Sequence, residues 1–400
     1  MKKTITLIAV LALISVHGQT WTNYTTADGL IEGIPSSLIQ DTNGNIWTTD
    51  WTVNTSPGIG YFDGVDWIRV GTDDGAPTNA IADSFQDSDG NYWFTTFDEM
   101  GVSKFDGTDW TSYTTAEGLV SNTIWETFQD SQGDVWFTGL GISQFDGTTF
   151  TNYDLINGEV FFSETMVEDT VGNYWFASSL GLLKFDGTDW EIFTSADGFS
   201  TDRPGALFLD SNGDLWVASY LNGSGIDRFD GTTVTNYTFS DGINNIDVRY
   251  SNAIAEDSNG ILYFGTNFGI AVFDGTDWTS IALSDGLPSE QVRSIIEDTE
   301  GNLWITTFAG VSKYDPTLGI FETLKESFTV YPNPANDALH IGSGAQIAQV
   351  EVYSILGTKV LDKKYVENTP IDVSSLAAGT YIVKVSDIND LVGFKKIIVQ

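Results

Sequence analysis

Short segments in which apolar and polar residues alternate recur along most of the chain, and glycine-containing turns separate them. This two-residue period predicts β-strands, and the apolar period of an amphipathic helix is absent from the pattern. In residues 80–110, Asp87 to Gly90 supply the first predicted turn, and Asp106–Gly107 predicts a tight two-residue turn. The four predicted strands, A to D, comprise residues 80–86, 91–96, 101–105 and a segment that begins near Trp110.

The same four-strand unit is repeated seven times. An aromatic residue follows a D-x-x-G-x-x turn at intervals of 39 to 47 residues, and an F-D-G motif marks the later turn. This period is typical of a β-propeller blade, which buries its faces against neighbouring blades. We therefore predict an all-β, seven-bladed β-propeller over residues 19–318. The first marker falls at Trp47, Trp93, Trp136, Trp175, Trp216, Tyr263 and Trp304, and the second starts at Phe62, Phe105, Phe145, Phe185, Phe229, Phe273 and, in degenerate form, Tyr314.

A lone strand near the N-terminus is predicted to close the ring. Trp21 to Thr26 matches the strand D segment Trp110 to Thr115 at five of six positions, and it precedes the first complete unit. It would therefore complete the seventh blade. Ile320 to Leu324, which follows the last unit, is the alternative closing strand.

Most of the tryptophans belong to the repeat itself. Eleven of the 13 lie on the strand B or strand D positions of the units. Since full burial of a large apolar side chain contributes roughly 1.5–3 kcal/mol, we interpret these eleven as core between blades. A platform on which sugar rings stack is the alternative interpretation.

The first 18 residues have the organisation of a secretory signal peptide. Lys2 and Lys3 precede the apolar run Ile5 to Val16, and small residues follow, which predicts cleavage before Gln19. A membrane anchor is the alternative, although the run is short for a bilayer. Elsewhere in the sequence we expect no transmembrane span.

Composition excludes several classes of chemistry. The chain has no cysteine, so disulfides, thiolate metal sites and a cysteine nucleophile are impossible. Its histidines are His17 and His340, so a histidine base or ligand is lacking from the predicted propeller. Fifty-five acidic and 17 basic residues give a net charge of -38, which disfavours nucleic acid and anionic lipid as partners. We expect a monomer that needs no cofactor.

The pattern changes after a predicted linker at residues 319–326. Residues 327–400 contain six lysines and seven acidic residues, whereas residues 20–326 contain nine basic and 48 acidic residues. The acidity therefore belongs to the propeller. Alternating segments in the tail predict a small Ig-like β-sandwich, with strands at residues 328–331, 338–341, 350–355, 359–366, 380–385 and 394–399.

Both parts resemble known families. The combination D-x-x-G-N-x-W and G-x-x-x-F-D-G, over residues 21–316, resembles the propeller repeat of two-component regulators, which implies the fold. The tail resembles the C-terminal sorting domain of the type IX (Por) secretion system, because three short sequence motifs occur in the same order. The resemblance implies export to the cell surface or medium, with residues 327–400 contacting the outer-membrane secretion machinery. An ordinary Ig-like adhesion module is the alternative. The three motifs are Val330 to Ala335, Val352 to Gly357 and Leu376 to Tyr381.

The A–B turns are candidate metal sites. Asp41, Asp87, Asp130 and Asp210 each begin a turn with oxygen-bearing residues at alternate positions, an arrangement that could hold Ca²⁺. The glycine stands at the fourth position of the turn, however, whereas the calcium loop of an EF-hand has it at the sixth position. Aspartate bonded to its own turn backbone explains the pattern without a metal.

Departures from the repeat suggest a ligand site. Because connections D–A and B–C share one face of a propeller, several unusual residues are expected around the channel mouth on that face. Aromatic rings with arginines suit a sugar or a carboxylated glycan. In the alternative interpretation each arginine neutralises a neighbouring acid. The candidates are Trp51, Trp125, Arg203, Arg249, Arg293, Tyr250, Tyr220, Phe97 and Glu99.

A catalytic pair is a further candidate. Asp83 and Glu126 occupy equivalent strand A positions in neighbouring units, and paired carboxylates could cleave a glycosidic bond. The leading hypothesis is nevertheless an exported propeller that binds a polysaccharide or a protein without turnover. A glycan hydrolase or lyase, and a structural or adhesion protein, are the alternatives.

Overall fold

The computed structural model describes residues 20–50, 52, 58–76, 78, 80–96, 100–219, 225–238, 253–315, 328–343, 347–354, 359–364, 369–387 and 392–400. These residues form two compact units, one within Gln19–Asp315 and one within Pro316–Gln400. The predicted signal sequence and linker, with Ile320 to Leu324, lie outside the described residues.

The described part of the first unit contains seven four-stranded antiparallel sheets, numbered here by predicted blade. The strands are neighbours in the order A to D. Strand β1 (Thr20–Tyr24) supplies strand D of sheet 7, and β14 (Leu155–Ile156) with β15 (Glu159–Val160) forms an additional hairpin. The sheets comprise β2 Pro35–Gln40, β3 Ile46–Asp50, β4 Ile59–Phe62 and β5 Trp67–Val70; β6 Ile81–Gln86, β7 Tyr92–Thr96, β8 Val102–Phe105 and β9 Trp110–Tyr113; β10 Ile124–Gln129, β11 Val135–Gly139, β12 Gly141–Phe145 and β13 Phe150–Tyr153; β16 Ser163–Glu168, β17 Tyr174–Ser178, β18 Gly181–Phe185 and β19 Trp190–Phe193; β20 Pro204–Leu209, β21 Leu215–Ser219, β22 Ile226–Phe229 and β23 Val234–Tyr237; β24 Ile254–Glu256, β25 Leu262–Thr266, β26 Gly269–Phe273 and β27 Trp278–Ile281; and β28 Val292–Glu297, β29 Leu303–Thr307 and β30 Gly310–Asp315.

The N-terminal strand joins the last sheet, as its sequence indicates. Strand β1 pairs antiparallel with β30, so that Trp21 lies opposite Tyr314 and Tyr24 opposite Val311. The rings of Trp21 and Tyr314 are 4.6 Å apart, and Tyr24 stacks at 5.7 Å on Trp304. The two ends of the unit are therefore held together by a β-ladder and by aromatic packing.

The predicted tryptophan core is confirmed. Every strand B from β3 to β29 is buried along its whole length, and the six tryptophans on these strands are between 1% and 6% exposed. Among the strand D tryptophans, Trp67 is buried and the others are half-buried. Trp216 illustrates the packing, since it lies against Phe264 and Phe273 of the next sheet.

The C–D connections differ from the expected two-residue turn. Phe105 pairs with Trp110, so the loop has four residues, 106–109. The Asp106 carboxylate accepts hydrogen bonds of 2.8 Å from the backbone N–H groups of Thr108 and Asp109, while Gly107 takes a φ of +94°. The prediction was wrong because the aspartate acts through its side chain and keeps a negative φ.

A belt of hydrogen bonds links neighbouring sheets at the A–B turns. The residue after the turn aspartate donates to a Gln or Glu side chain at the end of the next strand A, at 2.6 to 2.9 Å. Between sheets 4 and 5, Leu209 takes the place of the acceptor and the cluster of Trp175, Leu207 and Leu215 joins the sheets. The belt pairs are Thr42–Gln86, Ser88–Gln129, Ser131–Glu168, Ser211–Glu256, Ser258–Glu297 and Thr299–Gln40.

Short 3₁₀ helices begin several D–A connections, at Thr26–Asp28, Thr72–Asp74, Ser195–Asp197 and Leu283–Asp285. Their acidic residue accepts the backbone N–H of the preceding cap, as Asp28 does from Thr25 at 2.9 Å. In the described residues, no helix is long and apolar enough to cross a membrane.

The second unit consists of two sheets around one core. In the four-stranded sheet the order is β34-β33-β36-β37, and in the three-stranded sheet it is β31-β32-β35. Side chains from both sheets, including Leu339, Val352 and Val383, share the core. The strands are β31 Thr329–Tyr331, β32 Ala338–Gly342, β33 Ile347–Ser354, β34 Lys359–Lys364, β35 Ile371–Asp372, β36 Gly379–Asp387 and β37 Val392–Val399.

Candidate functional site

The order of the strands creates two distinct ends on each sheet. We call the end with the D–A and B–C connections the loop face, and the end with the A–B and C–D turns the turn face. Strand A reaches the loop face through a β-bulge in several sheets, which leaves one residue outside the ladder. Bulges of this kind re-aim a side chain. The bulge residues are Trp125, Glu164, Gly205 and Arg293.

Trp125 and Arg203, both predicted as ligand residues, meet around a third side chain. The rings of Trp125 and Phe162 are 5.4 Å apart and nearly perpendicular. The guanidinium carbon of Arg203 lies 5.5 Å from the centre of the Phe162 ring. With Glu164, these residues form what we call the loop-face cluster, which spans sheets 3, 4 and 5.

The cluster combines an exposed cation with a partly buried acid. Arg203 is exposed, whereas Trp125, Phe162 and Glu164 are half-buried. Burial raises the pKa of Glu164, although the positive charge of Arg203 opposes this change. Aromatic surface, a cation and a carboxyl group are thus available together for stacking and hydrogen bonding with a ligand.

Sequence reasoning missed Phe162 and Glu164. Glu164 stands five residues before its turn aspartate, which is also the position of Trp125 and Arg293. Comparison of that one position across the units could have identified it. Phe162 belongs to a Phe–Phe pair in the loop before strand A, and the repeat gives no reason to select it.

Arg293 has a different environment from Arg203. It is only 4% exposed, and its guanidinium carbon lies 5.5 Å from the centre of the Phe308 ring. Burial raises the pKa of Asp50 in sheet 1, and the charge of Arg293 opposes that rise. The structure therefore places Arg293 at the junction of sheets 7 and 1, where its charge acts on a buried carboxyl group.

Six other predicted ligand residues cannot be placed. Trp51, Phe97, Glu99, Tyr220, Arg249 and Tyr250 lie outside the described residues.

Asp83 and Glu126 each bind the backbone of the next sheet. The Asp83 carboxylate accepts a 3.2 Å hydrogen bond from the N–H of Thr127, and Glu126 accepts one of 3.0 Å from Met166. Both carboxylates therefore help to join adjacent strands A. This use also explains why they occupy equivalent positions.

The turn aspartates proposed as metal ligands are fully engaged with protein hydrogens. One carboxylate oxygen of Asp130 accepts the N–H groups of Gln132 and Asp134, both at 2.9 Å. The other accepts the indole N–H of Trp136 at 2.8 Å and the hydroxyl of Tyr174 at 3.0 Å. The same indole bond occurs at Asp41, Asp87 and Asp210, at 2.8 to 2.9 Å.

One unit replaces the tryptophan without losing the bond. Tyr263 stands where the other units have tryptophan, and its hydroxyl donates to Asp257 at 3.1 Å. The residue type at this marker thus follows from the need for a buried donor. Within the described residues, no group of three or more His, Cys, Asp or Glu side chains could hold a metal ion.

These hydrogen bonds predict that the loss of stability caused by one substitution depends on pH. Burial raises the pKa of Asp41, but hydrogen bonds from Trp47, Asn45 and Tyr92 outweigh it and leave the pKa below the ordinary value. A carboxyl group with a depressed pKa in the folded state stabilises above its unfolded pKa, about 3.9, and loses that contribution at lower pH. We expect Asp41→Asn to lower the melting temperature at pH 6 and the difference from wild type to shrink below about pH 4.

Thermal melting of both proteins between pH 7 and pH 2 measures this difference. Asp73→Asn, at an exposed position of the 3₁₀ helix Thr72–Asp74, controls for the loss of one charge. A difference between Asp41→Asn and wild type that stays constant over this range would contradict the prediction.

Comparisons with known proteins support both parts of the sequence resemblance. Residues 329–400 match the secretion system C-terminal sorting domain, and residues 286–309 match the two component regulator propeller. None of the curated proteins matches the chain.

Several solved structures share the fold. The extracellular domain of BT4673 from B. thetaiotaomicron is 16% identical, with a TM-score of 0.61, and the alignment covers 96% of this chain and 59% of that one. Virginiamycin B lyase from Staphylococcus aureus is 16% identical, with a TM-score of 0.58 and coverage of 74% and 98%. PorZ, a surface component of the type IX secretion system of Porphyromonas gingivalis, is 18% identical, with a TM-score of 0.53 and coverage of 90% and 58%.

These likenesses establish a β-propeller for the first unit. The tail that follows it carries a type IX sorting domain, whose partner is the secretion machinery. The chain is therefore a propeller exported to the outer surface of the cell or beyond it.

Proposed function

We propose that this chain is an exported seven-bladed propeller that binds a polysaccharide or a protein without chemical turnover. In this proposal the seven sheets are the blades, β1 closes the ring, and an Ig-like β-sandwich directs export after a signal peptide is removed. The observation that carries the proposal is the loop-face cluster. It brings an exposed cation and half-buried aromatic rings from three sheets to one face.

The composition of the cluster suits recognition. Trp and Arg are the residue types that most often dominate the energy of protein interfaces, and aromatic rings also stack on sugars. Asp83 and Glu126, the candidate catalytic pair, are bound to backbone N–H groups of the next sheet. Binding without turnover is therefore favoured over glycan cleavage by this pair.

Retention on an immobilised polysaccharide panel tests the function, with the mature chain as the probe. We expect retention of the chain and no soluble products. Trp125→Ala and Arg203→Ala should each weaken binding by about tenfold or more, because each removes a side chain at the centre of the cluster. Lys184→Ala, which removes a cation from strand C of sheet 4, is the matched control and should bind normally.

The outcomes separate the alternatives. Release of soluble sugars would identify an enzyme and contradict the proposal. Retention that is unchanged in Trp125→Ala and Arg203→Ala would show that the binding face is wrong. Absence of retention on both the polysaccharide panel and immobilised cell-surface proteins would favour a structural or adhesion protein.

A further inference from the structure

Exposed apolar side chains of the propeller are concentrated on the loop face. The described part of this unit has ten exposed large apolar residues, and seven of them lie in D–A or B–C connections. Val65 and Val171 lie on the turn face, and Ile68 lies on β5. The seven on the loop face are Met100, Leu140, Leu155, Val160, Phe268, Leu283 and Phe308.

The B–C turns do not need these side chains for their own structure. In sheet 6 the hydroxyl of Thr266 accepts a hydrogen bond from the N–H of Phe268 at 2.9 Å, and Phe268 is 57% exposed. In sheet 7 Thr307 accepts the N–H of Ala309 in the same way, at 3.1 Å. Since threonine holds the turn, a polar residue would serve equally well at position 268. The exposed ring leaves apolar surface in water, an arrangement typical of a surface that meets a partner.

The additional hairpin contributes a second kind of apolar contact. Leu155 and Val160 are paired across β14 and β15, and they are 51% and 78% exposed. Ile156 in β14 and Phe161 just after β15 are buried, so the hairpin is anchored while its outward pair faces solvent. The hairpin replaces the 3₁₀ connection found between other sheets. The hairpin thus adds apolar surface beside Phe162 of the loop-face cluster.

The chemistry of the face indicates what covers it. Leu, Val and Met side chains bury apolar area against other apolar side chains, whereas sugar rings are recognised through aromatic stacking and dense hydrogen bonding. The 48 acids and nine bases of residues 20–326 attract a basic surface and repel anionic lipid. A protein that presents apolar side chains among Lys and Arg satisfies both conditions.

We propose that the loop face is a docking surface for a protein partner whose contact segment is basic and apolar. The inference rests on the proposed function and names its ligand class. The loop-face cluster lies within the same surface, and the rings of Trp125 and Phe162 supply aromatic contacts there. The ring of B–C turns and the hairpin supply the apolar contacts around it.

Short labelled peptides provide the probes, and the full chain is the receptor. One peptide contains Lys with Leu and Phe, the second contains Lys with Ser, and the third contains Glu with Leu and Phe. At physiological salt we expect the first to bind at least about tenfold more tightly than the others. The double variant Leu140→Ser and Phe268→Ser should lose about tenfold in affinity for it.

The matched control is the double variant Val65→Ser and Val171→Ser, which removes two apolar side chains that are 79% and 81% exposed on the turn face. It should bind as wild type does. Equal binding of the two Lys peptides, or equal effects of the two double variants, would overturn the proposal. So would tighter binding to phosphatidylcholine–phosphatidylglycerol vesicles than to the first peptide.

The polysaccharide panel distinguishes this failure from that of the proposed function. If the chain is retained on a polysaccharide through Trp125 and Arg203 but does not bind the peptide, only the protein-docking inference is wrong. If the peptide binds through Leu140 and Phe268 and Trp125→Ala also weakens it, both proposals are supported.

Discussion

Asp130→Ala should lower the free energy of unfolding by about 3–5 kcal/mol, one of the largest effects expected of any single substitution in the propeller. The substitution removes the acceptor for two turn N–H groups, for the indole of Trp136 and for the hydroxyl of Tyr174. Trp136 is 1% exposed and Tyr174 4%, so neither donor can turn to water. Each unsatisfied buried donor costs about 1–3 kcal/mol. Urea denaturation measures the change.

Two variants separate the contributions. Trp136→Phe keeps an aromatic ring and removes the indole donor, so it should destabilise by less than Asp130→Ala. Asp146→Ala removes a C–D turn carboxylate that accepts from Thr148 and Thr149 at the exposed surface, and it should have a much smaller effect. If Asp130→Ala is no more harmful than Asp146→Ala, the buried hydrogen bonds are not the reason for the motif.

The periodic features of the chain could be predicted from its sequence. Repetition made the four-strand unit visible, because the same aromatic and glycine positions recur in each copy. The closing strand could be recognised because Trp21 to Thr26 matches an internal strand D. Six of the seven described tail strands followed from alternation, and their bounds agree with the structure to within a few residues, whereas the two-residue strand β35 was not predicted.

Features that depend on contacts between units could not be predicted in the same way. The bond from Trp136 to Asp130 joins residues whose side chains meet only after the turn has formed, and the bond from Tyr174 comes from another sheet. Leu209 is a similar case. Other units have Gln or Glu at this position, and the reason for leucine can be understood only once the belt of hydrogen bonds between sheets is known.

The candidate site could be predicted only in part, because it also depends on contacts between units. Trp125 and Arg203 stood out because they depart from the repeat, but the residue that joins them, Phe162, does not. Arg293 stood out equally and proved to be buried against Phe308. Both arginines were selected because arginine is rare in this part of the sequence. Only their burial in the structure distinguished the exposed Arg203 from the buried Arg293.

The second large effect concerns the closing strand. Removal of residues 19–26 should lower the melting temperature of the propeller by roughly 10 °C. The deletion strips β1 from β30 and removes Trp21 and Tyr24, which pack on Tyr314 and Trp304. Since Trp21 and Tyr24 are half-buried, their loss costs at most roughly 3–6 kcal/mol, and the unpaired edge of β30 adds to the loss. Thermal melting followed by circular dichroism measures it.

A rearranged chain provides the matched control. Here Trp21 to Thr26 is removed from the N-terminus and inserted after Tyr314, with the Asp-Gly-Thr-Asp turn of the other units as the connection. The segment can then pair with β30 as a hairpin, as β9 does with β8. We expect most of the lost melting temperature to return, because the ladder is restored while the connectivity differs. Unchanged melting after the deletion would show that the N-terminal strand does not close the ring. A deletion effect without rescue would indicate that the position of the segment in the chain matters beyond its pairing.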